Sequence, residues 1–251
     1  MNGLPSIVYD NRFADAAPVA STTEAGDYDV NNLTDFRPYT WWKPTALPAT
    51  VRVDCGSVKT ANCALVYGHD LGTQGATLEI RGSTDNWGAS DVLIDSISPA
   101  DDKPFLLQFS TASYQYHGLR ITGTTMPSLA IVALGMLFQF PRRLTAGFDP
   151  LGSKAVGQIN RSGKGHPLGS VIDYDAWDET LGWRNLSWSW VRANFKPLWQ
   201  STLRGSPFVW LWDPTDHADE IYLVNSTGEY AAPHNTGQFC DLTFDIQGVV
   251  P

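Results

Sequence analysis

The sequence predicts a mainly β protein in two domains: a β-sandwich over residues 1–140, and a second β-rich domain with one short helix over residues 141–251. Three observations predict it. Short runs alternate apolar and polar residues with the period of a strand, and clusters of turn-formers separate those runs. The composition is also rich in turn and aromatic residues, with 22 Gly, 16 Pro and 10 Trp among 251 residues. A charged fraction of 17% against a hydrophobic fraction of 43% excludes a disordered chain.

The strands follow in order. Val51, Val53 and Cys55 fall on one face, with Arg52 and Asp54 on the other. Leu78 and Ile80 alternate with Thr77, Glu79 and Arg81. Phe105, Leu107 and Phe109 form a third set, Leu119 and Ile121 a fourth, and Val132, Leu134, Met136, Phe138 and Phe140 a fifth. Turn-formers at 72–75, 83–88 and 99–104 separate them. The alternation stops at Pro141-Arg142-Arg143, which places the domain boundary near residue 141. Gly147 to Gly169 has little periodicity and reads as a long surface loop. Beyond it, Leu186, Trp188 and Trp190 alternate with Ser187 and Ser189, and Phe208, Trp210 and Trp212 with Val209 and Leu211. Ile221 to Val224 and then Leu242, Phe244 and Ile246 complete the strands. For the helix, Pro197 suits a first helical position, and Phe195, Leu198, Trp199, Thr202 and Leu203 share one face. Gly205 stands where a C-cap belongs.

Charge and cysteine content narrow the function classes. Seventeen basic and 26 acidic residues leave a net charge of −9, which argues against a nucleic-acid partner. The longest apolar run, Leu129 to Phe138, is far short of the roughly 18 residues of a membrane span. Met1-Asn2-Gly3-Leu4-Pro5 has neither a basic nor an apolar leader region, so no secretion signal is expected. Cys55, Cys63 and Cys240 are an odd set and read as buried free thiols of a protein made in a reducing cytoplasm.

Several motifs of the first half occur in a recognisable order. Asn32-Leu33-Thr34-Asp35 precedes Tyr39-Thr40-Trp41-Trp42; Val51-Arg52-Val53-Asp54-Cys55-Gly56 follows. Leu78 to Trp87 then leads into a Ser-Thr-Asp-Asn-Trp turn, and Tyr116 to Ile121 carries Leu119-Arg120-Ile121. This set, about half the chain, resembles the discoidin-like (galactose-binding-like) jelly-roll sandwich common among carbohydrate- and lipid-binding modules. It lacks the cysteines that bridge the termini in that family. The resemblance implies ligand loops around Phe36 to Lys43, Gly68 to Gly75 and Asp85 to Ala89, with Trp42, Asp85, Asn86 and Trp87 as candidate ligand residues. The residues themselves allow a plainer reading, with Trp42 in the core and Trp87 as the lid of an Asp/Asn turn.

The second half, from Phe195-Lys196-Pro197-Leu198-Trp199 through Pro207-Phe208-Val209-Trp210 to Leu242 to Gly248, is similar in layout to distal-tail and minor-tail proteins of long-tailed bacteriophages. That resemblance implies a structural protein of a tail tip or baseplate, made in the host cytoplasm and carried in the virion. It would assemble with itself in a symmetric ring and with other tail proteins, with a host-surface glycan as a further partner. Trp177 and Trp183 are candidate assembly contacts because seven Trp in 111 residues exceed what a small core is expected to hide, and Lys154, Arg161 and Lys164 because the long Gly147–Gly169 stretch is expected to order against an adjacent subunit or another tail protein. A free carbohydrate-binding protein is the alternative, and a carbohydrate-active enzyme a third reading.

Catalytic signatures are missing from the sequence. It has no Gly-x-Ser-x-Gly elbow, no His-Glu-x-x-His and no complete phosphate-binding loop around Gly163-Lys164-Gly165. The acidic run Asp173 to Glu179 lacks calcium-loop spacing and reads as a solvated turn. His69, His117, His166, His217 and His234 are scattered without ligand spacing. No enzymatic activity, metal or cofactor is expected.

Overall fold

The structure, a computed structural model, describes residues 3–88, 90–145 and 147–249. Met1, Asn2 and Ala89, which figure in the expectations above, lie outside the described residues. Strands make up 51% and helix 10%, the mainly β class with one helix that the sequence predicts. The chain divides into two compact units, one of Val8–Phe138 and one of Met1–Ile7 with Gln139–Pro251. The described residues before Val8 therefore belong with the second half. The Phe140 amide donates to the Pro5 carbonyl at 2.9 Å within that unit. The chain passes between units inside β1 (Ser6–Tyr9) and at the end of β7 (Leu129–Gln139).

Unit 8–138 is a sandwich whose two longest strands each serve both layers. They are β3 (Ala49–His69) and β6 (Phe105–Thr122). The first arm of β3 pairs Ala49 with Ile121 through Asp54 with Tyr116. After a register break, its second arm pairs Lys59 with Tyr114 through Val66 with Phe105. Strands that bend from one sheet to the other make the corners of such sandwiches. Gly56, at φ +69°, turns the corner, and its amide donates to Asp54 Oδ1 at 2.8 Å. One layer runs β2 (Val19–Ala20), β3, β6, β4 (Thr77–Ser83), β5 (Val92–Ile97); the other runs β6, β3, β7. Between them lie the predicted apolar residues Val51, Val53, Leu78, Ile80, Leu119 and Ile121 from one layer and Val132 and Leu134 from the other, joined by Val66.

The second unit is an antiparallel sheet in the order β10 (Phe208–Leu211), β11 (Ile221–Ala231), β12 (Phe239–Val249), β9 (Pro167–Ser187), β8 (Lys154–Arg161). Helix α1 spans 188–203, with α-helical turns alternating with wider π turns at Val191–Phe195 and Trp199–Leu203. Val191, Phe195, Leu198, Trp199 and Leu203 bury one face of it. That face packs on β12, with Phe195 5.6 Å and Trp199 5.7 Å from Phe244 between ring centroids.

Three expectations are corrected. Trp188 and Trp190 are helical, because the 186–190 alternation is too short to compete with the apolar face that continues to Leu203. The stretch from Gly147 to Gly169 contains β8 and the start of β9 rather than a bare loop. The acidic run Asp173 to Glu179 is strand, paired with β8 on one side and β12 on the other. Period-2 patterning fails there because both faces of the β8–β9 ribbon are exposed, so nothing sorts apolar from polar residues.

Candidate functional site

The sandwich has two ends, and they differ in what they offer a ligand. At one end β3 finishes at His69, β4 starts at Thr77, and Leu129 at the head of β7 bridges to Trp42. The long segment between β2 and β3 crosses this end. It is held by local polar bonds. Asp29 Oδ1 accepts from the Asn31 amide at 2.7 Å and so caps a 3-10 turn, Val30–Thr34, whose Leu33 plugs the core. Asn32 Nδ2 donates to the carbonyls of Asp27 (2.8 Å) and Trp41 (2.9 Å), tying the two limbs of the segment together. Asp35 accepts from the Arg37 amide and the Thr40 hydroxyl, both within 2.8 Å.

These bonds shape an open cleft of about 600 Å³ lined by Asp27, Tyr28, Asn32, Tyr39, Thr40 and Trp41 among others. Tyr39 is 72% exposed, while Tyr28 and Trp41 are half-buried, so three aromatic rings reach the cleft without being consumed by the core. Lys43 lies 5.7 Å from the Tyr28 ring centroid and bridges Glu24 at 3.1 Å. Hydrogen bonding to Glu24 holds the Lys43 ammonium above its ordinary value, so it stays charged beside the ring. Gly68 brings the β3 backbone beneath this segment: a Cβ there would be in van der Waals contact, 3.7 Å, with both the Trp41 ring and the Pro38 carbonyl. The loops at 36–43 and 68–75 therefore meet.

The loop at 85–88 lies at the other end. β4 runs from Thr77 to Ser83 before reaching it, about 20 Å for six steps. Its polar groups serve the turn itself. Asp85 accepts from Ser83 Oγ (3.0 Å), the Gly88 amide (3.0 Å) and Ser90 Oγ (2.6 Å). Asn86 and Trp87 occupy left-handed backbone at φ +56° and +65°. Trp87 lies over Gly118, where a Cβ would stand 2.6 Å from its ring. It is a lid. Trp42 is fully buried and donates from Nε1 to Thr23 Oγ1 at 3.2 Å, so it supports the cleft from below rather than lining it. Of the four candidate ligand residues, then, Asp85 and Trp87 build a turn, Trp42 is core, and Asn86 alone is exposed without such a duty.

Tyr28, Tyr39 and Asp27 were not singled out by sequence. Adjacent Trp41 and Trp42 in extended chain point to opposite sides, so burial of Trp42 leaves Trp41 facing outward, but Tyr39 stands in a turn that this parity does not reach.

The candidate assembly contacts divide in the same way. Trp177 and Trp183 are 1% exposed, which corrects the expectation that they face a partner. Trp177 stacks on Tyr222 at 4.4 Å and donates to the Asp149 carbonyl; Trp183 stacks on Phe140 at 4.0 Å and donates to the Arg142 carbonyl. Lys154, Arg161 and Lys164 are exposed on the β8–β9 ribbon. Among the described residues no group of three or more His, Cys, Asp or Glu is placed to hold a metal, and no helix is long and apolar enough to cross a membrane.

No protein-family model and no curated protein matches the chain. Solved structures do. A pectin-binding carbohydrate-binding module is 18% identical over 47% of this chain and 88% of its own, at a TM-score of 0.41. Chitosan-binding module 1 of a chitosanase/glucanase from Paenibacillus sp. IK-5 is 18% identical over 50% of this chain and 98% of its own, at 0.43. CpGH89CBM32-5 from Clostridium perfringens, solved with GalNAc-β-1,3-galactose, is 14% identical over 49% of this chain and 97% of its own, at 0.42. What each module binds is a property of that module. Each of these matches covers about half of this chain.

Proposed function

We propose that the protein binds carbohydrate, without turning it over, in the cleft formed by Tyr28, Tyr39 and Trp41. The observation that carries this reading is the convergence of three partly exposed rings with polar groups that the protein leaves free. Sugar rings present an apolar C–H face that stacks on aromatics and an edge of hydroxyls that needs acceptors and donors. Among the described residues, the Asp27 carboxylate, the Tyr28 and Tyr39 hydroxyls and the Trp41 indole N–H make no hydrogen bond to the protein. Their free valences match a hydroxylated ligand. The charged residues lining the cleft, Asp27 and Asp29, are both acidic and Lys43 is already paired with Glu24, so neutral or amino sugars fit better than uronates. The printed ligands of similar structures, chitosan-derived and galactose-containing sugars among them, are compatible with that class.

Titration calorimetry against neutral, amino and acidic oligosaccharides tests the reading. Binding should favour the first two classes, and Tyr39→Ala or Trp41→Ala should weaken it by about tenfold or more, while Trp87→Ala should not. Failure of all three sugar classes to bind, or equal binding by the Tyr39 and Trp41 variants, would sink it. The bacteriophage-tail reading has no observation in its favour comparable to this cleft.

A further inference from the structure

Residues 154–175 form a two-stranded ribbon, β8 with the first half of β9, that is exposed on both faces yet carries apolar side chains on both. Directly opposed residues share a face. Val156 lies opposite Tyr174 on one side; on the other, Ile172 lies opposite Gly157, two residues from Ile159. Ile159 is 62% exposed, Ile172 59%, Val171 58% and Tyr174 50%. An isolated two-stranded ribbon is marginal in water, and large apolar residues exposed together mark an interaction surface.

Charge indicates what covers it. The ribbon has three basic residues, Lys154, Arg161 and Lys164, against Asp173 and Asp175 toward its root, so its tip is positive, while the rest of the chain has 14 basic against 24 acidic residues, a net of −10. The same unit offers an acidic counterpart. Asp178 and Asp245 line a groove of about 200 Å³ with Thr180, Thr227 and Gln247, and β9–β12 pairing sets Asp178 opposite Gln247 and Thr180 opposite Asp245. The ribbon's root already touches this groove, with Lys154 Nζ 3.7 Å from Asp178. Its tip cannot. Arg161 stands seven residues further along β8, about 23 Å away.

We infer that the ribbon is an assembly arm whose partner is a second copy of this chain. The apolar ribbon faces lie on that copy, and Arg161 and Lys164 meet its Asp178–Asp245 groove. Arm and groove are different surfaces, so the contact is head-to-tail and propagates to a ring or a filament. The arm engages by its faces rather than by adding a strand. A bulge between Val156 and Gly157 twists the outer edge, and a Cβ on Gly157 would stand 2.0 Å from the Val171 carbonyl.

Sedimentation velocity of the full chain across the micromolar range is the test, with circular dichroism and thermal unfolding as folding controls. The natural protein should associate with rising concentration. Ile159→Ser with Ile172→Ser, and separately Arg161→Glu with Lys164→Glu, should weaken association by about tenfold or more at unchanged unfolding temperature. Asp178→Lys with Asp245→Lys should do the same, and mixing the two charge-reversed proteins should restore association. A natural protein that stays monomeric, arm variants that assemble as it does, or a mixture that stays apart would each overturn the inference. So would a monomer that sediments with anionic phospholipid vesicles through the same arm residues, which would make a membrane surface the occupant.

Discussion

Trp41 and Trp42 are sequence neighbours with opposite fates, and the difference predicts opposite mutant behaviour. Trp42 is fully enclosed among Phe13, Leu33, Ala49 and Leu129, so Trp42→Ala leaves a cavity worth about 3–5 kcal/mol of stability. Tyr39 is 72% exposed, and Tyr39→Ala should change stability by no more than about 0.5 kcal/mol while removing a stacking surface. Urea unfolding of the two variants beside the natural protein checks the contrast, and equal losses would mean the cleft rings are structural. A second residue-scale prediction concerns pH. Burial pulls His69 and His117 below the ordinary histidine value, although each ring donates from Nε2 to a backbone carbonyl, of Lys103 and Lys59 respectively. Below about pH 6.5 the unfolded chain then binds protons that the folded chain refuses. Their contribution is therefore present in full above that pH and is lost as pH falls toward the lowered folded values. The unfolding temperature should drop between about pH 7.5 and 5.5, with a shallower slope in His117→Gln. A pH-independent midpoint for the natural protein would contradict it.

At the scale of elements, Gly68 links a strand to the site. Its φ of +69° lies in the left-handed region, and an added Cβ would meet Ala130 Cβ at 3.0 Å as well as the Trp41 ring. Gly68→Val should cost about 1–3 kcal/mol and weaken sugar binding in the same variant, because the strand cannot relax without moving Trp41. Stability lost with full affinity retained would separate the strand from the site. Elements were legible in the sequence where one face is buried. Val51 and Val53, Leu78 and Ile80, and Leu119 and Ile121 alternate because their partners lie in the core between the layers. The corner in β3 was less legible, since Gly56 reads as an ordinary strand end until the pairing of Lys59 with Tyr114 shows the strand resuming in the other layer. The β8–β9 ribbon was illegible for the opposite reason: with no buried face, its residues carry no period. In the site, the loop at 36–43 was visible from its motif, but not which of its rings face solvent. That choice belongs to Asn32 and Asp35, whose hydrogen bonds span five to nine residues.

For the whole molecule, the concentration of Trp in the second half has a packing explanation. Phe140 stacks on Trp183 at 4.0 Å and meets Trp210 edge-on at 6.1 Å, and Phe195, Trp199 and Phe244 extend the cluster. This core is aromatic, whereas the sandwich core is mainly aliphatic around Trp42. Each unit thus has its own core, and the proposed sugar cleft lies wholly within Val8–Phe138, the arm and acidic groove wholly within the other unit. Calorimetry of the full chain should therefore resolve two unfolding transitions. A ligand that binds only the folded form stabilises it by RT ln(1 + [L]/Kd), about 2.7 kcal/mol at a hundredfold excess over Kd. Saturating oligosaccharide should raise the sandwich transition, which Trp42→Ala identifies by lowering it, and leave the other in place. Reversing the arm charges should remove the concentration dependence of the other transition and leave the sugar response intact. If sugar shifts both transitions together, or arm reversal abolishes the sugar response, the two surfaces act as one system and their assignment to separate units is wrong.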